Sequence, residues 1–206
     1  MDISTKVHEL GIVPVIKIDD VADAIPLAQA LIDGGLPCAE ITFRTDAAEE
    51  SIRQVAAKFP EMLVGAGTVL TTEQADRAIA AGAKFIVSPG FNPKVVKHCQ
   101  SKNVPIFPGC ITPTEIEMAI EHGLETVKFF PAEQAGGLAM IKALAAPYTK
   151  MTFIPTGGID TSNLKKYLEF GKIVACGGSF MIKSDLAEVT RLSKEAVALV
   201  KEVRGN

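Results

Sequence analysis

The chain has 206 residues, 48% of them apolar, and a formal charge of 21 − 24 = −3; at this length about 70% of the unfolded surface is buried on folding, so neither disulfide nor metal is needed to hold a core. With no Trp, two Tyr and an acidic balance, it lacks the basic and aromatic surface that steers and stacks nucleic acid. No window approaches the ~20 apolar residues of a membrane span, and the first residues lack the basic region and apolar stretch of a secretory signal, so a soluble, unprocessed protein without membrane contact is expected.

Along the chain, a short N-terminal helix is followed by apolar, β-branched runs at 12–18, 38–42, 63–68, 85–88, 104–107, 126–130, 152–156 and 173–177. Amphipathic stretches at 21–33, 47–59, 72–81, 93–102, 113–122, 138–145 and 162–170 separate them, and a last helix is expected over 185–203. Several helices open on a cap-type residue or a first-turn proline and close near Gly34, Gly82, Gly123 and Gly171. Runs that are apolar throughout mark strands covered by helices on a parallel sheet. Eight strand-loop-helix units, starting roughly every 20 to 26 residues, predict an α/β chain folded as one compact (β/α)8 barrel domain over residues 1–206. The alternative is a doubly wound open sheet, but the first run ends Ile18-Asp19-Asp20, where that fold usually carries a glycine-rich fingerprint.

Cys38, Cys99, Cys110 and Cys176 are scattered, with no CxxC pair and no histidine at zinc-ligand spacing. They read as reduced thiols of a cytoplasmic protein. His8, His98 and His122 fall in or beside helical segments, on surfaces, and no His/Asp/Glu cluster suggests a metal.

In a (β/α)8 barrel the active site lies at the C-terminal ends of the strands, so the polar residues there are the candidates. Lys128 sits inside the apolar run Thr126-Val127-Lys128-Phe129-Phe130-Pro131. Desolvation disfavours an ammonium, and a neutral amine attacks a ketone or aldehyde to form a Schiff base that accepts electrons from an adjacent C–C bond. The plainer reading is an ammonium reaching outward to a carboxylate or to solvent. Glu40, in Cys38-Ala39-Glu40-Ile41-Thr42, is a second charge in an apolar strand; pointing inward it meets Lys128 and serves as general acid and base, or it is a salt-bridge partner of Arg44 or Lys17. The glycine pairs in Pro155-Thr156-Gly157-Gly158-Ile159 and Cys176-Gly177-Gly178-Ser179-Phe180 let backbone N–H groups approach a phosphate, with Ser179 as a further donor; alternatively they only permit tight turns. Arg44 and Thr68 add anion-binding capacity, the guanidinium as a bidentate fork, although a solvated salt bridge suits Arg44 equally.

Taken in order, Val13-Pro14-Val15-Ile16, Glu40-Ile41-Thr42-Phe43-Arg44-Thr45, Gly65-Ala66-Gly67-Thr68-Val69, Ser88-Pro89-Gly90, Pro108-Gly109, Val127-Lys128-Phe129-Phe130-Pro131-Ala132-Glu133, Pro155-Thr156-Gly157-Gly158-Ile159 and Gly177-Gly178-Ser179 resemble the 2-keto-3-deoxy-6-phosphogluconate (KDPG) aldolases, a family that also cleaves 4-hydroxy-2-oxoglutarate (KHG). The resemblance implies a Schiff base on Lys128 and acid/base work by Glu40 through a water. It further implies that Arg44, Thr68 and Pro89 hold the pyruvate portion, that Thr156 orients the substrate, and that Gly157, Gly158, Gly178 and Ser179 take the phosphate. It implies a homotrimer without metal or organic cofactor, acting on a phosphorylated keto acid. The strand-2 motif Glu-Ile-Thr-Phe-Arg favours the gluconate substrate over the galactonate epimer of a related branch. A phosphate-binding decarboxylase or isomerase barrel, and a non-catalytic phosphate-ligand barrel, remain open as alternatives.

Overall fold

In the computed structural model, which describes residues 3–205, eight short strands alternate with helices. The strands are β1 Ile12–Ile16, β2 Cys38–Thr42, β3 Leu63–Gly67, β4 Phe85–Ser88, β5 Ile106–Pro108, β6 Thr126–Phe129, β7 Thr152–Pro155 and β8 Cys176–Gly178. The helices are α1 Ile3–Leu10, α2 Ala24–Asp33, α3 Ala48–Lys58, α4 Thr72–Ala80, α5 Pro93–Ser101, α6 Pro113–Glu121, α7 Gly137–Ala145, α8 Leu164–Leu168 and α9 Leu186–Arg204. Side chains of Thr71, Asn92 and Asp185 cap α4, α5 and α9, and Thr112 with Glu115 forms a capping box on α6, meeting backbone donors that the first turn leaves unpaired.

All strand pairs are parallel. A curled six-stranded sheet runs β5-β4-β3-β2-β1-β8, and β6 pairs with β7 in a second sheet. Among the described residues, strand pairing between the two sheets is limited to isolated bridges, Gly109↔Lys128 on one side and Phe153↔Ile173 and Thr156↔Gly177 on the other. The ladders thin at these seams because β5 and β8 are each three residues long.

Strand and helix positions follow the sequence reading, with local differences. The run from residue 173 becomes a strand only at Cys176, since Val174 and Ala175 turn into an inner apolar cluster before pairing with β1 begins. The expected helix from residue 21 opens as a 3-10 turn, Val21–Asp23, capped by Asp20, and only then becomes α2. Among the described residues, no helix is long and apolar enough to cross a membrane.

Successive side chains on a strand point to opposite faces. Outward residues such as Ile41, Val64, Ile86, Val127 and Phe153 pack under the helices in the main core. Inward ones, among them Val13, Cys38, Phe85, Val87, Phe107 and Ile154, form a second cluster with Val7 of α1. This inner cluster is an apolar floor, and Glu40 and Lys128 share its face, each two residues or one strand away from its members.

Candidate active site

Glu40 lies two residues beyond Cys38 on β2, so alternation carries its carboxylate inward; Lys128, between the outward Val127 and Phe129 of β6, is turned inward likewise. Lys128 Nζ stands 3.4 Å from Glu40 Oε1, with side-chain exposures of 8% and 4%. Two charges this dry are held only as a pair. Beneath them a cavity of about 10 Å³ is lined by Val7, Val13, Phe85, Val87, Phe107 and Ile154 together with Glu40, Lys128 and Thr156. The Phe130 ring, 38% exposed, has its centroid 5.2 Å from the same Nζ, so the amine has an apolar floor and an aromatic neighbour at the mouth.

Gly67 ends β3 directly against the pair. A Cβ there would lie 2.1 Å from Glu40 Oε1, so this position has no room for any side chain while Glu40 keeps its place. The next residue, Thr68, is half-buried with φ 56°, a left-handed conformation that is costly for a β-branched residue and clusters at functional sites.

Around this centre, Arg44 is exposed and donates from Nε to Thr42 Oγ1 at 2.9 Å, while Thr42 donates to Ile16 O at 2.9 Å. Neither Arg44 nor Lys17 is bonded to Glu40; Lys17 pairs with Asp19 at 2.5 Å. Pro89 is half-buried at the end of β4, and its carbonyl abuts Gly109 so closely that a Cβ there would sit 2.0 Å from it. Thr156 is buried and lines the central cavity. Gly157 and Gly158 have φ 101° and 76°, and Thr156 and Gly157 accept backbone bonds from Ala132 (2.8 Å) and Glu133 (3.1 Å). Gly178 is buried and pairs with Pro14, leaving Ser179 exposed at the rim. Lys128, Glu40 and Thr156 therefore share one cavity, and the other candidates occupy strand-end positions around it.

Three residues that the sequence reading gave no role support the rim. Thr42 anchors Arg44; Asn163 donates from Nδ2 to Gly158 O at 2.8 Å; Tyr167 donates to the Glu133 carboxylate. Residue type gave no signal for the last two, since an Asn and a Tyr on an amphipathic helix read as surface and core. The four cysteines are buried and free. Burial pushes the Cys99 thiol up to about 11 and, with the Glu115 charge adding to it, Cys110 up to about 12, and it raises Cys38 and Cys176 further.

Known proteins resemble this chain over almost its whole length. Residues 3–197 match the family model for KDPG and KHG aldolase. The 2-dehydro-3-deoxy-phosphogluconate aldolase of Treponema pallidum is 51% identical over 199 residues, covering 94% of this chain and 95% of that one. The crystal structure of the Zymomonas mobilis 2-keto-3-deoxy-6-phosphogluconate aldolase with 3-phosphoglycerate superposes with a TM-score of 0.91 at 39% identity, covering 96% of each chain. That of KDPG aldolase from Legionella pneumophila, with pyruvate captured at low pH as a covalent carbinolamine intermediate, gives 0.87 at 34% identity over 98% of each. Matched by the family model over residues 3–197 and by a relative 51% identical over 94% of its length, this chain belongs to the KDPG and KHG aldolase family.

Proposed function

We propose that this protein is a class I, Schiff-base aldolase that cleaves KDPG to pyruvate and glyceraldehyde 3-phosphate, and KHG to pyruvate and glyoxylate. The observation that carries the reading is the buried contact of Lys128 Nζ with Glu40 Oε1 at 3.4 Å, at the strand-end face of the inner cluster. A carboxylate at this range accepts the ammonium proton, leaving the neutral amine to attack the C2 ketone. Glu40 returns that proton to the carbinolamine hydroxyl, which leaves as water and gives an iminium. Glu40 then takes the C4 hydroxyl proton, the C3–C4 bond breaks, and its electron pair moves into the iminium to form an enamine. Glyceraldehyde 3-phosphate leaves, the enamine is protonated at C3, and water releases pyruvate and the free amine. The steps as written call on no metal or organic cofactor.

In this reading Arg44, Thr68 and Pro89 hold the pyruvate carboxylate and methyl end, Thr156 orients the C4 hydroxyl, and Gly157, Gly158, Gly178 and Ser179 bind the phosphate. Positive φ at Gly157 and Gly158 supports the last assignment, since successive N–H groups in such a turn converge on an anion. The isolated bridges at both seams support closure of the two sheets into one (β/α)8 barrel domain. The family resemblance supports a homotrimer, read by light scattering of the purified protein, and four unpaired, buried thiols support a cytoplasmic setting.

The deciding test is borohydride reduction in the presence of pyruvate. A reduced pyruvyl adduct on Lys128, absent from Lys128→Ala, is expected; an intact Lys128 under saturating pyruvate would leave the decarboxylase, isomerase or non-catalytic readings.

A further inference from the structure

A hydrogen bond remote from the Lys128–Glu40 pair has no part in the reaction steps above. Tyr167, on α8, is 1% exposed, and its hydroxyl donates to Glu133 Oε1, 34 residues away in the loop after β6. Burial first, and the Glu133 bond second, raise the Tyr167 phenol well above its ordinary range, so it remains a donor throughout the working pH range. The acceptor is not an isolated surface group. A Cβ on Gly158 would lie 2.7 Å from Glu133 Cγ and 2.8 Å from Glu133 Cβ, which places the aliphatic stem of Glu133 directly under the Gly157-Gly158 turn. The backbone N–H of Glu133 also donates to Gly157 O at 3.1 Å, and Asn163, the N-cap residue of α8 and one turn before Tyr167, donates to Gly158 O at 2.8 Å. The turn is thus held from two sides, by the Glu133 stem and by α8, and the phenol–carboxylate bond ties those two supports together.

We infer that Tyr167 and Glu133 form a buttress that sets the Gly157-Gly158 turn for the phosphate of the six-carbon substrate, and so tune the preference for phosphorylated over unphosphorylated keto acid. The inference rests on the reading of this turn as the phosphate site. Its chemistry has two parts. Backbone N–H groups bind a phosphate dianion well only when fixed in a converging orientation. The phenol also keeps the Glu133 carboxylate engaged on α8; released, that charge would stand beside the incoming dianion and repel it. KHG carries no phosphate and makes no use of the turn. Tyr167 and Glu133 are positioning residues, since neither touches the reacting atoms.

The readout is the ratio of kcat/KM for KDPG to kcat/KM for KHG. Tyr167→Phe keeps the buried ring and removes one charge-assisted hydrogen bond, so the ratio falls about 10-fold, carried by a higher KM for KDPG with its kcat retained. Glu133→Ala, which removes stem and acceptor together, lowers the ratio at least as far. Glu133→Gln keeps both the stem and an acceptor oxygen and holds the ratio within about twofold. Ser179→Ala is measured alongside as the marker of the phosphate site itself. If Ser179→Ala lowers the ratio and Tyr167→Phe does not, the buttress is refuted and the phosphate site stands. If neither moves it, the phosphate reading fails and the inference with it. Equal losses on both substrates in Tyr167→Phe reduce the bond to general stability and also overturn the proposal.

Discussion

Replacing Gly67 by Ala adds one methyl group at the point where β3 touches the Glu40 carboxylate. The new Cβ would lie 2.1 Å from Glu40 Oε1 and 2.7 Å from both Cδ and Cγ, where ordinary contact begins at 3.4 Å, so the oxygen must retreat by about 3.4 − 2.1 = 1.3 Å. The least costly response is a swing of the Glu40 side chain, because the strand beneath is fixed in register with β2 at Thr42↔Gly67. That swing breaks a 3.4 Å contact with Lys128, and a misplacement of about 1 Å costs about 100-fold in rate. Gly67→Ala is therefore expected to lose about two orders of magnitude in kcat while remaining folded and still trapping pyruvate on Lys128. Gly65→Ala, two residues earlier on the same strand, is the control. Its Cβ would lie 2.3 Å from ring atoms of Phe85, which is 1% exposed and cannot swing away, so it costs about 1–3 kcal/mol of stability and roughly 2–12 °C in Tm while keeping the greater part of turnover. Pyruvate release coupled to NADH oxidation by lactate dehydrogenase, with circular dichroism melts, reads both quantities. A folded Gly67→Ala enzyme with undiminished kcat would refute the placement of Glu40 as acid and base.

Three further outcomes follow from the same geometry. Glu40→Gln keeps the size of the side chain and loses the proton acceptor, so kcat for both substrates falls by about 10²–10⁴-fold; a loss confined to KM contradicts the assignment. Lys128→Met strands a buried carboxylate and costs about 3–5 kcal/mol, most of which returns in the Lys128→Met/Glu40→Gln double variant; additive losses in denaturant titrations would show that the two groups are not a pair. For the thiols, the folded Cys99 and Cys110 are held up at about 11 and about 12, first by desolvation, whereas unfolded thiols ionise near 8.5. Their contribution to stability is complete below the unfolded value and is lost as pH rises through the folded ones, so Tm declines above pH about 9 and less steeply in Cys99→Ala/Cys110→Ala. At pH 8 iodoacetamide leaves all four cysteines unmodified until the chain is unfolded, and rapid native labelling would contradict their burial.

The strands were legible because helices cover the outer face of every one, making the runs apolar throughout, and for the same reason any charge inside a run stood out. Glu40 and Lys128 were found in this way although 88 residues separate them. What periodicity could not decide was the partner of Glu40. Register decides it: Glu40 is level with Val15 and Gly65, so Lys17 stands two residues, about 7 Å, nearer the rim and finds Asp19 there, while Arg44 lies past the end of β2 and finds Thr42. Only a group from across the inner face reaches Glu40 at its own depth. The seams were not legible, because the length of a parallel ladder depends on where neighbouring backbones diverge; residues 173–175 are as apolar as a strand yet pack inward at Val174 and Ala175.

The rim divides by the same logic. Its glycines were visible as residue types, but the groups that fix them are side chains from other loops: Glu133 under Gly158, Asn163 on its carbonyl, Tyr167 behind both. A turn built of two positive-φ glycines has little conformational preference of its own, so its orientation must be imposed by what surrounds it. Chemistry at the Lys128–Glu40 pair then depends on strand register, whereas selection of the phosphate end depends on the contacts of one short helix. Substitutions at Tyr167 and Asn163 should therefore move substrate preference without moving the chemical step, and substitutions at Glu40, Gly67 and Lys128 should do the reverse.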